Sequence, residues 1–112
     1  MGRYSFEKKW KVRKRQHYQA IYQEGRRLHS RNFVIVLREN SEGTVRFGIT
    51  VGKKVGNAVK RNRIKRLLRE YFRLNRDAFR GSTDIVVIAR KDISSLNYRD
   101  VSSELNAVLK GR

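Results

Sequence analysis

The sequence contains no cysteine and no proline. Without cysteine there is no disulfide framework, no thiolate zinc site and no cysteine nucleophile. That usage suits a reducing compartment. Without proline there is no polyproline ligand segment. Long apolar runs are missing too: the longest are Phe33–Leu37 and Ile85–Ala89, whereas a transmembrane helix needs about 20 apolar residues. The N-terminal MGRYSFEKKWKVRKR has the charge of a signal-peptide n-region but no apolar stretch after it, so the protein is expected to stay in the cytoplasm. Acids are scarce, 10 against 28 Lys and Arg. Glu7, Glu24, Glu39, Glu42, Glu70, Asp77, Asp84, Asp92, Asp100 and Glu104 are scattered, with no spaced carboxylate pair of the kind two-metal hydrolysis uses. His17 and His29 have no partner pattern for metal or nucleophile work. No catalytic residue and no protein-held metal is expected.

What remains is a charged single domain. A chain of 112 residues with 38% hydrophobic residues can build one compact core. The formal net charge of +18 repels itself in a compact state and attracts polyanions. The charge is clustered. Residues 3–15 hold Arg3, Lys8, Lys9, Lys11, Arg13, Lys14 and Arg15 against Glu7. Residues 53–76 hold ten more basic side chains against Glu70 alone. Two dense basic segments in a folded domain point to nucleic acid before a membrane surface.

Residues 1–12 read as an extended basic arm that Trp10 and Val12 could pin to the core. Residues 13–24 read as a helix with Tyr18, Ile21 and Tyr22 on one face, ended by Gly25 in the C′ position. Residues 32–38 and 44–51 read as strands around the turn cluster Asn40–Gly43, plausible as an antiparallel hairpin. Asn57 is a suitable N-cap for the strongest helix signal, 58–75, where Ile64, Leu67, Leu68, Tyr71 and Phe72 form one apolar stripe. Asn62, Lys65, Arg66, Arg69, Arg73 and Arg76 fall opposite the stripe, with Arg61 near its edge and Arg63 on the other flank. Residues 84–89 read as a third strand and 97–110 as a last helix. This alternation implies an α/β or α+β domain, and a helix between two strands implies a crossover, right-handed by default.

The segment KKVGNAVKRNRIKRLLREYF, residues 53–72, is the strongest constellation. It combines an apolar seam, a broad cationic back and a helix N-terminus suited to phosphate. Arg61-Asn62-Arg63 followed by Ile64-Lys65-Arg66-Leu67-Leu68-Arg69-Glu70, and preceded by Lys53-Lys54-Val55-Gly56-Asn57-Ala58-Val59, resembles the protein subunit of bacterial ribonuclease P. RKRQHYQAIYQEGRR, FVIVL, RFGITVGKKVGNAVKRNR and DIVVIARK resemble that family's elements in order across nearly the whole chain.

The resemblance implies a two-layer sandwich with a mixed four-stranded sheet and a left-handed βαβ crossover, against the default hand. The fourth strand would come from splitting the region read as a hairpin. It implies a single RNA-binding domain over 1–112, partnered by the ribonuclease P RNA subunit and precursor tRNA, with no protein partner required. In the family the RNA subunit cleaves the 5′ leader from precursor tRNA using Mg2+ that the RNA and substrate hold. Carried over by position, Arg61, Asn62, Arg63, Lys65, Arg66 and Arg69 would face the RNA subunit. Lys14, Tyr18, Tyr22, Val36, Thr50, Lys54, Ala89 and Arg90 would line the leader cleft. A ribosomal or other structural RNA-binding protein is the competing reading, and a protein-only nuclease the third.

Overall fold

The computed structural model describes residues 10–79 and 81–110. The first nine residues of the expected arm lie outside that range. Three helices, α1 (Arg15–Glu24), α2 (Ala58–Asn75) and α3 (Tyr98–Leu109), accompany four strands, β1 (Arg26–His29), β2 (Phe33–Glu39), β3 (Arg46–Thr50) and β4 (Thr83–Ala89). The sheet order is β1-β2-β4-β3. β1 and β4 each run antiparallel to β2, and β3 runs parallel to β4. The unit β3–α2–β4 is therefore a parallel pair with α2 in its crossover.

Two expectations are corrected here. The strands over 32–38 and 44–51 do not form a hairpin, because β4 lies between them. β4 is buried along nearly its whole length, so it needs a partner on each side and takes a central position. The fourth strand does not come from splitting that region. It is β1, Arg26-Arg27-Leu28-His29, which has one apolar residue in four and so shows no period. Leu28 alone packs against the main core. An edge strand rich in cations also resists pairing with another chain.

The sheet is covered on both faces, and strand alternation sorts the side chains. Phe33, Ile35, Phe47, Ile85, Val87 and Ala89 meet Ile64, Leu68, Tyr71 and Phe72 of α2 and Val101 and Leu105 of α3 in the main core. Phe47 and Phe72 stack at 4.3 Å, with Phe79 edge-on at 5.8 Å. The opposite face carries Val36 and Val86 beneath Ile21 of α1, with Val12 beside them. Val12 donates its N–H to the Phe47 carbonyl, and Lys11 bridges Phe47 in parallel, so the arm's end covers part of the β3 edge.

The helix ends follow local chemistry. Asn57 caps α2 by accepting the Lys60 N–H at 3.0 Å. Asn97 and Asp100 form a reciprocal capping box on α3. Gly25 ends α1, but for a different reason from the left-handed C′ geometry the sequence suggests. Its φ of −78° is ordinary. A Cβ there would stand 2.5 Å from Val36 Cγ1 and 2.6 Å from the Ile21 carbonyl oxygen. The glycine lets α1 approach the sheet. Gly25→Ala is expected to lower stability by about 1–3 kcal/mol through overpacking, read as a lower denaturant midpoint. An unchanged midpoint would mean that α1 has room to lift.

Candidate nucleic-acid interface

α2 supplies the largest cationic surface. Its stripe Ile64, Leu68, Tyr71 and Phe72 is buried, which turns the opposite side outward. Asn62, Arg66 and Arg69 are exposed there and Lys65 is partly so. The two arginines of the Arg61-Asn62-Arg63 motif behave differently. Arg61 donates to the Gly56 carbonyl at 3.1 Å and holds the turn before the helix. Arg63 turns towards the β4–α3 loop, where Nε donates to the Ser94 carbonyl at 2.6 Å and a terminal nitrogen to that of Leu96 at 3.2 Å. Its fork holds the loop from the flank the helical arithmetic indicates. Lys60 pairs with Asp92 at 3.0 Å. Hydrogen bonds from the Ser94 hydroxyl and N–H, then Lys60, hold the Asp92 carboxyl down at about 2.

Beside this surface lies the cleft under α1. Tyr18 and Tyr22 stand one helical turn apart, ring centroids 6.1 Å from each other. Neither is fully buried. The Tyr18 ring lies over Gly48, where a Cβ would come within 2.9 Å of it. Its hydroxyl accepts the Ile49 N–H at 3.3 Å, and burial pushes that hydroxyl's pKa up. The Tyr22 hydroxyl and Thr50 Oγ1 are 2.6 Å apart. A cavity of about 260 Å3 beside Tyr18 is lined by Lys11, Gly48, Phe72, Lys65 and Arg69 among others. It joins the basic side of α2 to the first tyrosine.

The register separates the expected cleft residues. One row across the sheet is Gly48, Val86, Val36 and Arg27, and α1 sits on it. The next row is Thr50, Ile88, Val34 and His29, beside α1 and partly open. Val36 is fully buried under Ile21, and Ala89 points into the main core. Neither presents a side chain to the cleft, so both are withdrawn from its surface. Val34 and Ile88 form the floor instead. Thr50 stands at one end of it. Lys54 is exposed in the turn Lys53–Val55 that follows β3. Arg90 follows β4 and donates to the Ser30 carbonyl at 3.1 Å.

Lys14 stands elsewhere, at the start of α1, in a second cavity of about 450 Å3 with Lys11, Arg13, His17, Arg46 and Arg76, where Glu42 is the only acid among the lining residues. Arg46 escapes a sequence reading because it is in a strand, whereas Arg76, read on the cationic back of the helix, stands in the turn that follows α2. Arg76 stacks on Trp10 at 3.2 Å. Arg46 forks onto buried Asp84 at 2.8 and 3.0 Å.

Among the described residues no three His, Asp or Glu side chains stand together as a metal-binding group, and the cations of α2 disfavour a divalent ion beside them. Among the same residues no helix is long and apolar enough to cross a membrane.

Comparison with known proteins agrees with this arrangement. Residues 6–111 match the family model described as Ribonuclease P. The chain is 51% identical over 109 residues to the ribonuclease P protein component of Syntrophus aciditrophicus, spanning 97% of this chain and 92% of that one. It is 47% identical over 110 residues to that of Desulforapulum autotrophicum, spanning 98% and 94%. Its fold superimposes on a mutant of the Staphylococcus aureus RNase P protein with a TM-score of 0.85 at 38% identity, covering 93% of this chain and 88% of the other. For the RNase P protein of Thermotoga maritima the TM-score is 0.81 at 36% identity, covering 91% and 96%. The ordered strands around a basic α2, together with these likenesses, place the chain in the bacterial ribonuclease P protein family, the accessory subunit of that endoribonuclease.

Proposed function

We propose that this single domain binds the catalytic ribonuclease P RNA through α2 and the 5′ leader of precursor tRNA through the trough beside α1, in the cytoplasm. The observation that carries this reading is the cavity at Tyr18, where Lys65 and Arg69 of the basic helix meet the aromatic edge of the trough. A leader leaving an RNA seated on α2 would pass directly along the tyrosines. Asn62, Lys65, Arg66 and Arg69 serve the RNA subunit. Arg61 and Arg63 shape the loops around that face, with donors left over for phosphate. Tyr18, Tyr22, Thr50, Lys54 and Arg90 serve the leader, and Lys14 adds charge at the start of α1.

The chemistry belongs to the RNA, which with the substrate holds Mg2+. The protein contributes position and positive charge, offsetting phosphate repulsion as RNA and substrate come together. The test is salt dependence. Removing Arg66 or Arg69 by alanine is expected to weaken RNA-subunit binding. The slope of log affinity against log salt should fall by about 0.7–0.9 for each phosphate that is no longer neutralised. Slopes unchanged in both variants would take this face out of the interface. The same electrostatic role predicts that added protein lowers the Mg2+ concentration the RNA needs for cleavage. High monovalent salt should reduce that benefit, since free ions screen the same charges. A Mg2+ requirement that does not move with protein would contradict it.

A further inference from the structure

The open row of the sheet does not end at Val34. It continues onto β1, where His29 pairs with Val34 and is exposed. Arg27, two residues earlier, points to the same face and is also exposed. Its guanidinium donates to the Tyr22 carbonyl at 3.3 Å and lies 6.0 Å from the Tyr22 ring centroid. One bond leaves most of its five N–H donors for other partners. Arg90 reaches the Ser30 carbonyl in the turn that joins β1 to β2. The acids on this face are Asp84, engaged by Arg46, and Glu24, the last residue of α1, engaged by Arg38. The trough therefore has an apolar floor, an aromatic wall and a basic outer end. From Thr50 to His29 it crosses three strand spacings, about 14 Å.

Its polarity follows from the chain. The Thr50 end leads through Lys54 into the N-terminus of α2, next to the face assigned to the RNA subunit. The β1 end is the far end, reached only by nucleotides distant from the cleavage site. Bases suit the floor and wall, and phosphates suit the guanidinium groups.

We propose that β1 forms the outer end of the leader trough, where Arg27 and His29, with Arg90, hold phosphates beyond the nucleotides stacked at Tyr22. This chain then grips long leaders more tightly than short ones. The inference rests on the proposal that the trough takes the leader. It adds residues that carry no RNA-binding pattern in the sequence.

The experiment uses the reconstituted holoenzyme and precursor tRNAs whose leaders grow one nucleotide at a time. The native protein is expected to show a step up in affinity once the leader is long enough to reach β1. The double variant R27A/H29A is expected to lose that step and keep its short-leader affinity. R27A alone should lower the salt slope for long leaders by about 0.7, one phosphate on a single strand. Because Arg27 also touches Tyr22, H29A serves as the second variant: it should lose part of the step with the tyrosine wall undisturbed. A step that survives in the double variant, or an equal loss at every leader length, overturns the proposal. The leader reading is tested separately by the native holoenzyme. Equal binding of all precursors and of mature tRNA would overturn that reading and this one together, whereas a native leader dependence unaffected by the β1 variants overturns this one alone.

Discussion

Replacing Asp84 by alanine is expected to destabilise the protein by about 3–5 kcal/mol, the cost of leaving a buried charge without its partner. Asp84 is completely buried in the central strand β4. Its carboxylate takes the fork of Arg46 from β3, accepts from Asn40 Nδ2 at 2.7 Å, and lies 3.6 Å from the Arg38 guanidinium of β2. Arg38 can turn to water and to Glu24, which it already meets at 2.8 Å. Arg46 is only 8% exposed and cannot. The same carboxylate ties both neighbours of β4 at one level, since Arg38 and Arg46 are its register partners. A small domain holds about 5–15 kcal/mol in total, so the loss is a large share of it. The thermal midpoint should fall by about 12 °C or more. Asp84→Leu combined with Arg46→Met should recover most of the loss, because two apolar residues leave no unpaired charge. A single D84A variant that melts within about 3 °C of the native protein would show that water reaches Arg46.

The readable and unreadable parts of this fold divide on periodicity. α2 is legible to its ends because eighteen residues carry a helical stripe, a capping asparagine and a cationic back, all consistent. β2 and β4 are legible as strands, but not as to which side each residue faces. FVIVL and IVVIA are apolar throughout, and a strand buried on both faces shows no alternation. Nothing in that pattern could check Val36 and Ala89, which the family resemblance carries into the cleft, and the register puts Val34 and Ile88 there instead. β1 is invisible because its four residues carry three exposed basic side chains, and only its pairing with β2 makes it a strand. Asp84 looks like the polar boundary of a strand. Its role depends on Arg46 and Asn40, residues 38 and 44 positions away, and no local pattern links them. The basic helix can be read as nucleic-acid-binding from charge alone. The meeting of Lys65 and Arg69 with Tyr18 is a tertiary fact.

Tyr22→Ala should weaken binding of precursor tRNA to the holoenzyme by about 1–3 kcal/mol, the range of a base–aromatic stack, or about 5- to 150-fold. Mature tRNA, which has no leader, should bind as before. The structure separates this residue from Tyr18. The Tyr18 ring fills the space above Gly48 and its hydroxyl satisfies the Ile49 N–H at the open edge of β3. Its removal therefore costs packing and a backbone partner as well as a stacking surface. Tyr22 has a looser hold, through Thr50 and Arg27. Tyr22→Phe isolates the ring from the hydroxyl: it loses the Thr50 hydrogen bond and keeps the aromatic face. It should retain most of the leader affinity if stacking carries the effect. Thermal melts of all three variants identify any loss that comes from unfolding, which Tyr18→Ala is expected to show and Tyr22→Phe is not. Equal weakening of precursor and mature tRNA by a folded Tyr22→Ala protein would remove the leader from this trough.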